Sequence, residues 1–175
     1  MLKYYFAIYG GWPKLFKSSY FWISVIITSL FYPTWSKPEW WGNPLDILPN
    51  ILGFSLGGYA LIMAFGDKEF LRVLSYKNSK GETSAFMDLN AAFVHFIVLQ
   101  IFAIILALLS ENFFLVGIPK FVFEWNLIYF LYAATYIWYF LSYLTFIYAL
   151  ITTFAATFAI LRVMKVYSTH LNIEK

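Results

Sequence analysis

Residues 53–66, GFSLGGYALIMAFG, decide how the chain is read. Their opening letters spell the G-x-S-x-G pattern that puts a nucleophilic serine on the strand-to-helix turn of a soluble hydrolase. The residues ahead of them, NPLDILPNIL, contain Pro49 and show no alternation of apolar and polar positions, so no strand leads into such a turn. As a helix the same letters mean something else. Gly53 and Gly57 form G-x-x-x-G, and Gly58, Ala60 and Ala64 extend a small-residue surface that lets a second backbone approach closely. Ser55 then hydrogen-bonds across that contact or back to its own helix, for about 0.6 to 1 kcal/mol.

The surroundings favour the helix. Of 175 residues, 62% are hydrophobic and 23% aromatic, while 12% are charged against roughly 25% in an average soluble domain. The expected class is an all-α integral membrane protein forming one polytopic domain over residues 1–175. There is no cysteine, which removes disulfide and thiolate chemistry. His95 and His170 are far apart with no second histidine at helical spacing, so neither a metal centre nor a cofactor is expected. No basic tract suggests a nucleic-acid partner.

Four apolar segments follow, at about 19–35, 45–65, 89–109 and 138–161. At about 1.5 Å per residue the first three suit a hydrocarbon core of about 30 Å, and without water in that core each must be a helix. The first follows Lys3, Lys14 and Lys17 like the h-region of a signal peptide, but no small-x-small cleavage site ends it, so it reads as an uncleaved span.

The cations give the orientation. Lys3, Lys14 and Lys17 precede the first span and Lys37 alone follows it; Lys68, Arg72, Lys77 and Lys80 lie between the second and third; Lys120 alone lies between the third and fourth; Arg162, Lys165 and Lys175 close the chain. That alternation places both termini and the loop at 67–84 in the cytoplasm of a multi-pass plasma (inner) membrane protein. Trp35, Trp40, Trp41 and Trp125 then fall at the outer interface, as an aromatic belt.

The fourth segment is too long for an upright span. Residues 125–161 hold no Lys, Arg, Asp, Glu, Gly or Pro and would make a helix of about 55 Å. The reading adopted is one long helix that begins in an outer interfacial segment at 120–137, rather than two short spans turning near Ser142. In the cytoplasmic loop, DKEFLRVLSYK predicts a short amphipathic helix, with Phe70 and Leu74 on its apolar side and Lys68 and Arg72 on its polar side. It lies against the inner leaflet or docks a cytoplasmic protein. Ser84 caps the next helix, with Asp88 in its first turn.

Polar residues inside the spans are the candidate functional groups, because hydrocarbon makes them costly. Ordered by depth, Asp88, Asn90, His95, Ser55, Gln100 and Asn50 form a candidate polar conduit, with His95 as a protonation-sensitive element. Thr145, Ala149, Thr152 and Ala156 share a second face, on the long helix, that suits close packing.

The expected function is a small homo-oligomeric channel or membrane-permeabilising component that answers to a cytoplasmic partner; it is not expected to be an enzyme. Small proteins of this design look like the membrane subunits and effectors of bacterial phage-defence systems, a likeness of architecture that carries no residue over. Two alternatives stand beside it. One is a non-conducting anchor or scaffold subunit of a larger complex. The other is an intramembrane serine hydrolase using Ser55 and His95, which counting along the helices puts about 16 Å and about 10 to 15 Å from the inner boundary.

Overall fold

Long apolar runs satisfy their backbone groups most readily as helices, and every regular element among the described residues is one, with no strand. The computed structural model describes residues 11–65, 70, 72, 75, 84–116 and 128–173. In chain order the helices are α1 (Gly11–Lys17), α2 (Ser19–Leu30), α3 (Tyr32–Trp35), α4 (Gly42–Phe65), α5 (Ala85–Val116) and α6 (Ile128–Ile173). Two stretches, Leu89–Phe113 and Tyr129–Thr169, are long and apolar enough to cross a membrane.

The segment expected over 19–35 is two helices. Pro33 has no N–H with which to continue the ladder, so α2 ends at Leu30, the chain bends at Phe31, and the four residues of α3 follow. The Trp35 indole N–H caps the break by donating to the Thr28 carbonyl at 2.7 Å. A second turn follows, where Glu39 takes a left-handed backbone (φ 68) and its carbonyl accepts from the Gly42 N–H. α4 holds Pro49 within it, which leaves the Leu45 carbonyl without its usual donor.

The fourth segment is one uninterrupted helix of 46 residues, with Ser142 buried in its middle rather than exposed in a turn. α5 starts as its cap residue suggests, the Met87 N–H donating to Ser84 Oγ at 3.3 Å.

The long helices meet in a row of contacts, α2 on α6, α6 on α5 and α5 on α4, and Tyr59 and Met63 of α4 also pack against the cluster that α5 and α6 share. The α5 face of this row repeats at alternating steps of four and three: Leu89, Phe93, Phe96, Gln100, Ala103, Ala107 and Ser110, all buried. That is the spacing of a coiled-coil seam. Ala103 and Ala107 on α5 and Ala149 on α6 are at most 1% exposed and belong to one buried cluster, the small residues that allow helix backbones to approach.

Three tryptophans of the expected belt pack within the chain. Trp35, Trp40 and Trp41 are core residues, 7%, 3% and 7% exposed. The break after α2 and the left-handed Glu39 fold the connection back onto α6, where Trp35 stacks edge-on against Phe140 and Trp40 against Tyr139 and Tyr143. Edge-to-face packing of these rings joins α3 and the connection that follows it to α6. Trp125 lies outside the described residues.

Candidate functional site

The seam between α5 and α6 carries two polar contacts and, between them, two polar side chains without any. At one end the Trp138 indole N–H donates to Ser110 Oγ at 2.8 Å. At the other, His95 Nε2 and Tyr148 Oη are 3.5 Å apart, the edge of a hydrogen bond. Gln100 lies between His95 and Ser110 on α5, and Ser142 between Trp138 and Tyr148 on α6. Gln100 is fully buried, and neither its Oε1 nor its Nε2 has a partner among the described residues; Ser142 Oγ is in the same position.

The α4 side of α5 holds a third contact. Tyr59 Oη donates to Asn90 Oδ1, and the Tyr59 ring leans on Phe93. At 3.6 residues per turn, His95 projects about 140° and about 160° round α5 from Asn90 and Phe93. His95 is therefore turned to Tyr148 and away from the side that α4 occupies. Ser55, one turn before Tyr59 on α4, is half-buried. The hydrolase alternative needs Ser55 and His95 together, and His95 meets Tyr148 of α6.

The remaining conduit candidates separate. Asn50 is exposed and donates from Nδ2 to the Asp46 carbonyl at 2.9 Å. Asp88 lies in the first turn of α5, and its side chain is outside those described. Asn90, His95 and Gln100 are on one helix but point in three directions. Among the described residues no three His, Asp or Glu side chains converge as metal ligands would.

The packing candidates divide between two surfaces. On α6, Ala149 and Ala156 are buried in the seam; Thr152 is buried and donates to the Ala149 carbonyl at 2.9 Å, and Thr145 donates to the Leu141 carbonyl at 2.8 Å. Ser24, Ser29, Ser110, Thr135, Thr153 and Thr157 likewise donate to carbonyls of their own helices. This is how hydroxyls satisfy themselves where water is scarce. On α4, Gly53, Gly57, Ala60 and Ala64 are exposed, and Gly58 is half-exposed. A Cβ at Gly53, Gly57 or Gly58 meets nothing within 4 Å, so this surface packs on no other part of the described chain.

Of the docking candidates, Lys68 lies outside the described residues, as does Leu74. Arg72 is exposed. Phe70 is turned inward, 8% exposed, with its ring edge-on to Tyr167 near the end of α6. Phe70 is thereby a described contact between this segment and α6.

Tyr59, Tyr148 and Trp138 complete the polar contacts, and nothing in the sequence distinguishes them among 14 tyrosines and seven tryptophans. A spacing rule would have found Ser110 and Gln100, which fall on the same four-three repeat as the buried phenylalanines and alanines. Compared with known proteins, the chain matches no family model, no curated sequence and no solved structure.

Proposed function

We propose that the chain is a four-segment protein of the plasma membrane with both termini and the 67–84 loop in the cytoplasm, that it assembles with copies of itself, and that it is a small channel or membrane-permeabilising component. The apolar lengths of α5 and α6 and the alternation of cations between segments support the topology. The observation that carries the activity is Gln100. A buried amide without partners costs about 1 to 3 kcal/mol, and a leucine of similar size would remove that cost. A chain that served only to hold helices together would be more stable with the leucine. An unsatisfied amide midway along the α5–α6 seam, with the Ser142 hydroxyl also unmatched, is instead suited to pass water or an ion between the His95–Tyr148 and Ser110–Trp138 contacts.

The test is flux through liposomes containing the purified chain. Gln100→Leu is expected to raise the thermal unfolding midpoint in detergent and to abolish ion flux. Unchanged flux in that variant, or tight vesicles with the native chain across voltage and pH, would sink the conduit.

A non-conducting anchor is the second reading, and the self-bonded hydroxyls favour it, since they need no aqueous path. It predicts that Gln100→Leu is stabilised and otherwise indistinguishable from the native chain.

A further inference from the structure

One stripe of α6 changes character halfway along. Phe140, Tyr143, Ile147, Ile151, Phe154, Phe158 and Leu161 follow steps of three and four and share a face. Tyr143 and Ile147 are 2% and 6% exposed, whereas Phe154, Phe158 and Leu161 are 63%, 55% and 58% exposed. The cover over the first part is α2 and α3: Phe31 lies against Tyr143 and Trp35 against Phe140. It stops at Phe21, whose ring meets Tyr148.

The cover is short for two reasons. α2 has 12 residues and so is about 18 Å long. It also crosses α6 obliquely: Phe21 to Phe31 rises about 15 Å along α2, but their partners Tyr148 and Tyr143 are only about 7.5 Å apart along α6. From Tyr148 to Arg162 α6 continues for about 21 Å with no described helix on this stripe. At the head of the uncovered stretch, the break between α1 and α2 at Ser18 places the exposed Lys17. α1 is pinned there by the Phe16–Phe21 ring contact and by the Trp22 indole N–H, which donates to the Phe16 carbonyl at 2.8 Å.

An apolar stripe with exposed cations at both ends, Arg162 and Lys165 at the helix end and Lys17 well inside, has the chemistry of an anionic amphiphile's path. Phe21, one turn past Lys17, sits at Tyr148, about 21 Å along α6 from Arg162. An α6 that crosses the membrane therefore carries Lys17 inward from the Arg162 level, to a depth where an ammonium is costly. The cations still alternate between segments without it. A segment shorter than the hydrocarbon is accommodated by thinning of the leaflet beside it. We infer that the uncovered half of this stripe is a track for phospholipids with anionic headgroups, and that Lys17 draws those headgroups inward so that lipids cross between leaflets. This rests on the membrane reading above and gives the permeabilising activity a lipid substrate, separate from the Gln100 seam.

The experiment uses the full chain in vesicles of phosphatidylcholine and phosphatidylglycerol carrying a short-chain fluorescent phosphatidylglycerol. Albumin extracts the label from the outer leaflet and is too large for any channel to admit. With the native chain the label should become fully extractable; Lys17→Leu should slow the second, transbilayer phase about fivefold, and Lys17→Arg should restore it. A photocrosslinking phenylalanine analogue at Phe158 should form phospholipid adducts. Extraction that stops at the outer leaflet, a Lys17→Leu rate equal to the native one, or Phe158 adducts to residues 1–10 or to a second copy overturns the proposal. Ion flux in the same vesicles is read separately, so loss of lipid movement with flux intact removes this track and leaves the conduit standing.

Discussion

Trp138 and Ser110 join the two longest helices through a chain of two hydrogen bonds: the indole N–H donates to Ser110 Oγ, which donates in turn to the Leu106 carbonyl. The hydroxyl is 1% exposed, so its removal leaves the indole without an acceptor beside a tightly packed seam. Ser110→Ala is expected to lower stability in detergent by about 0.6 to 1.7 kcal/mol, within the measured span for polar contacts between membrane helices. Trp138→Phe, which removes the donor and keeps an aromatic ring, should cost a similar amount alone and little more when combined with Ser110→Ala. A double-mutant cycle checks this; additive losses would mean that the pair does not act as one unit.

Close packing at Ala149 makes the opposite prediction to Gln100. Its side chain is fully buried in the cluster formed with Ala103 and Ala107. Ala149→Leu should force α5 and α6 apart and destabilise by about 1 to 3 kcal/mol. Thermal unfolding followed by circular dichroism measures it, and a neutral result would show that the seam is looser than described.

The glycine surface of α4 gives a test of assembly that leaves the fold alone. Because a Cβ at Gly57 meets only open space, Gly57→Leu should keep or slightly raise the stability of the single chain. If copies pair through this face, the same substitution should reduce the oligomer to a smaller species in native mass measurement, while Ser55→Ala leaves it intact. The reverse pattern would return attention to the serine.

Much of the helical content was legible in the chemistry of the letters. The unbroken stretch before Arg162 had nothing to stop a helix, and α6 has no stop. Pro33 within FYPTW was a legible stop for α2, but the apolar letters on both sides of it masked the break. The burial of Trp35, Trp40 and Trp41 was not legible, because an indole serves a headgroup interface and a protein core equally well. Which one applies depends on where the chain folds back, and that turns on the break at Phe31 and the left-handed backbone of Glu39. The directions of Asn90, His95 and Gln100 were open to calculation from 3.6 residues per turn. Their partners were not, since helices apolar all round give no sign of which neighbour each side meets.

The order of the row also has a consequence for biogenesis. α6 is last in the chain and yet stands between α2 and α5, so the residues that receive Phe21, Phe31 and Trp35 are translated after every other long helix is made. Domains made during synthesis generally assemble from the N-terminal end, but here α2 waits for its long-helix neighbour until α6, the last of these helices in chain order, has been made. A nascent chain stopped before residue 138 would present α2 and the face of α5 that carries Gln100 without cover, which makes the interval before α6 emerges the period in which this chain is most open to misassembly and proteolysis.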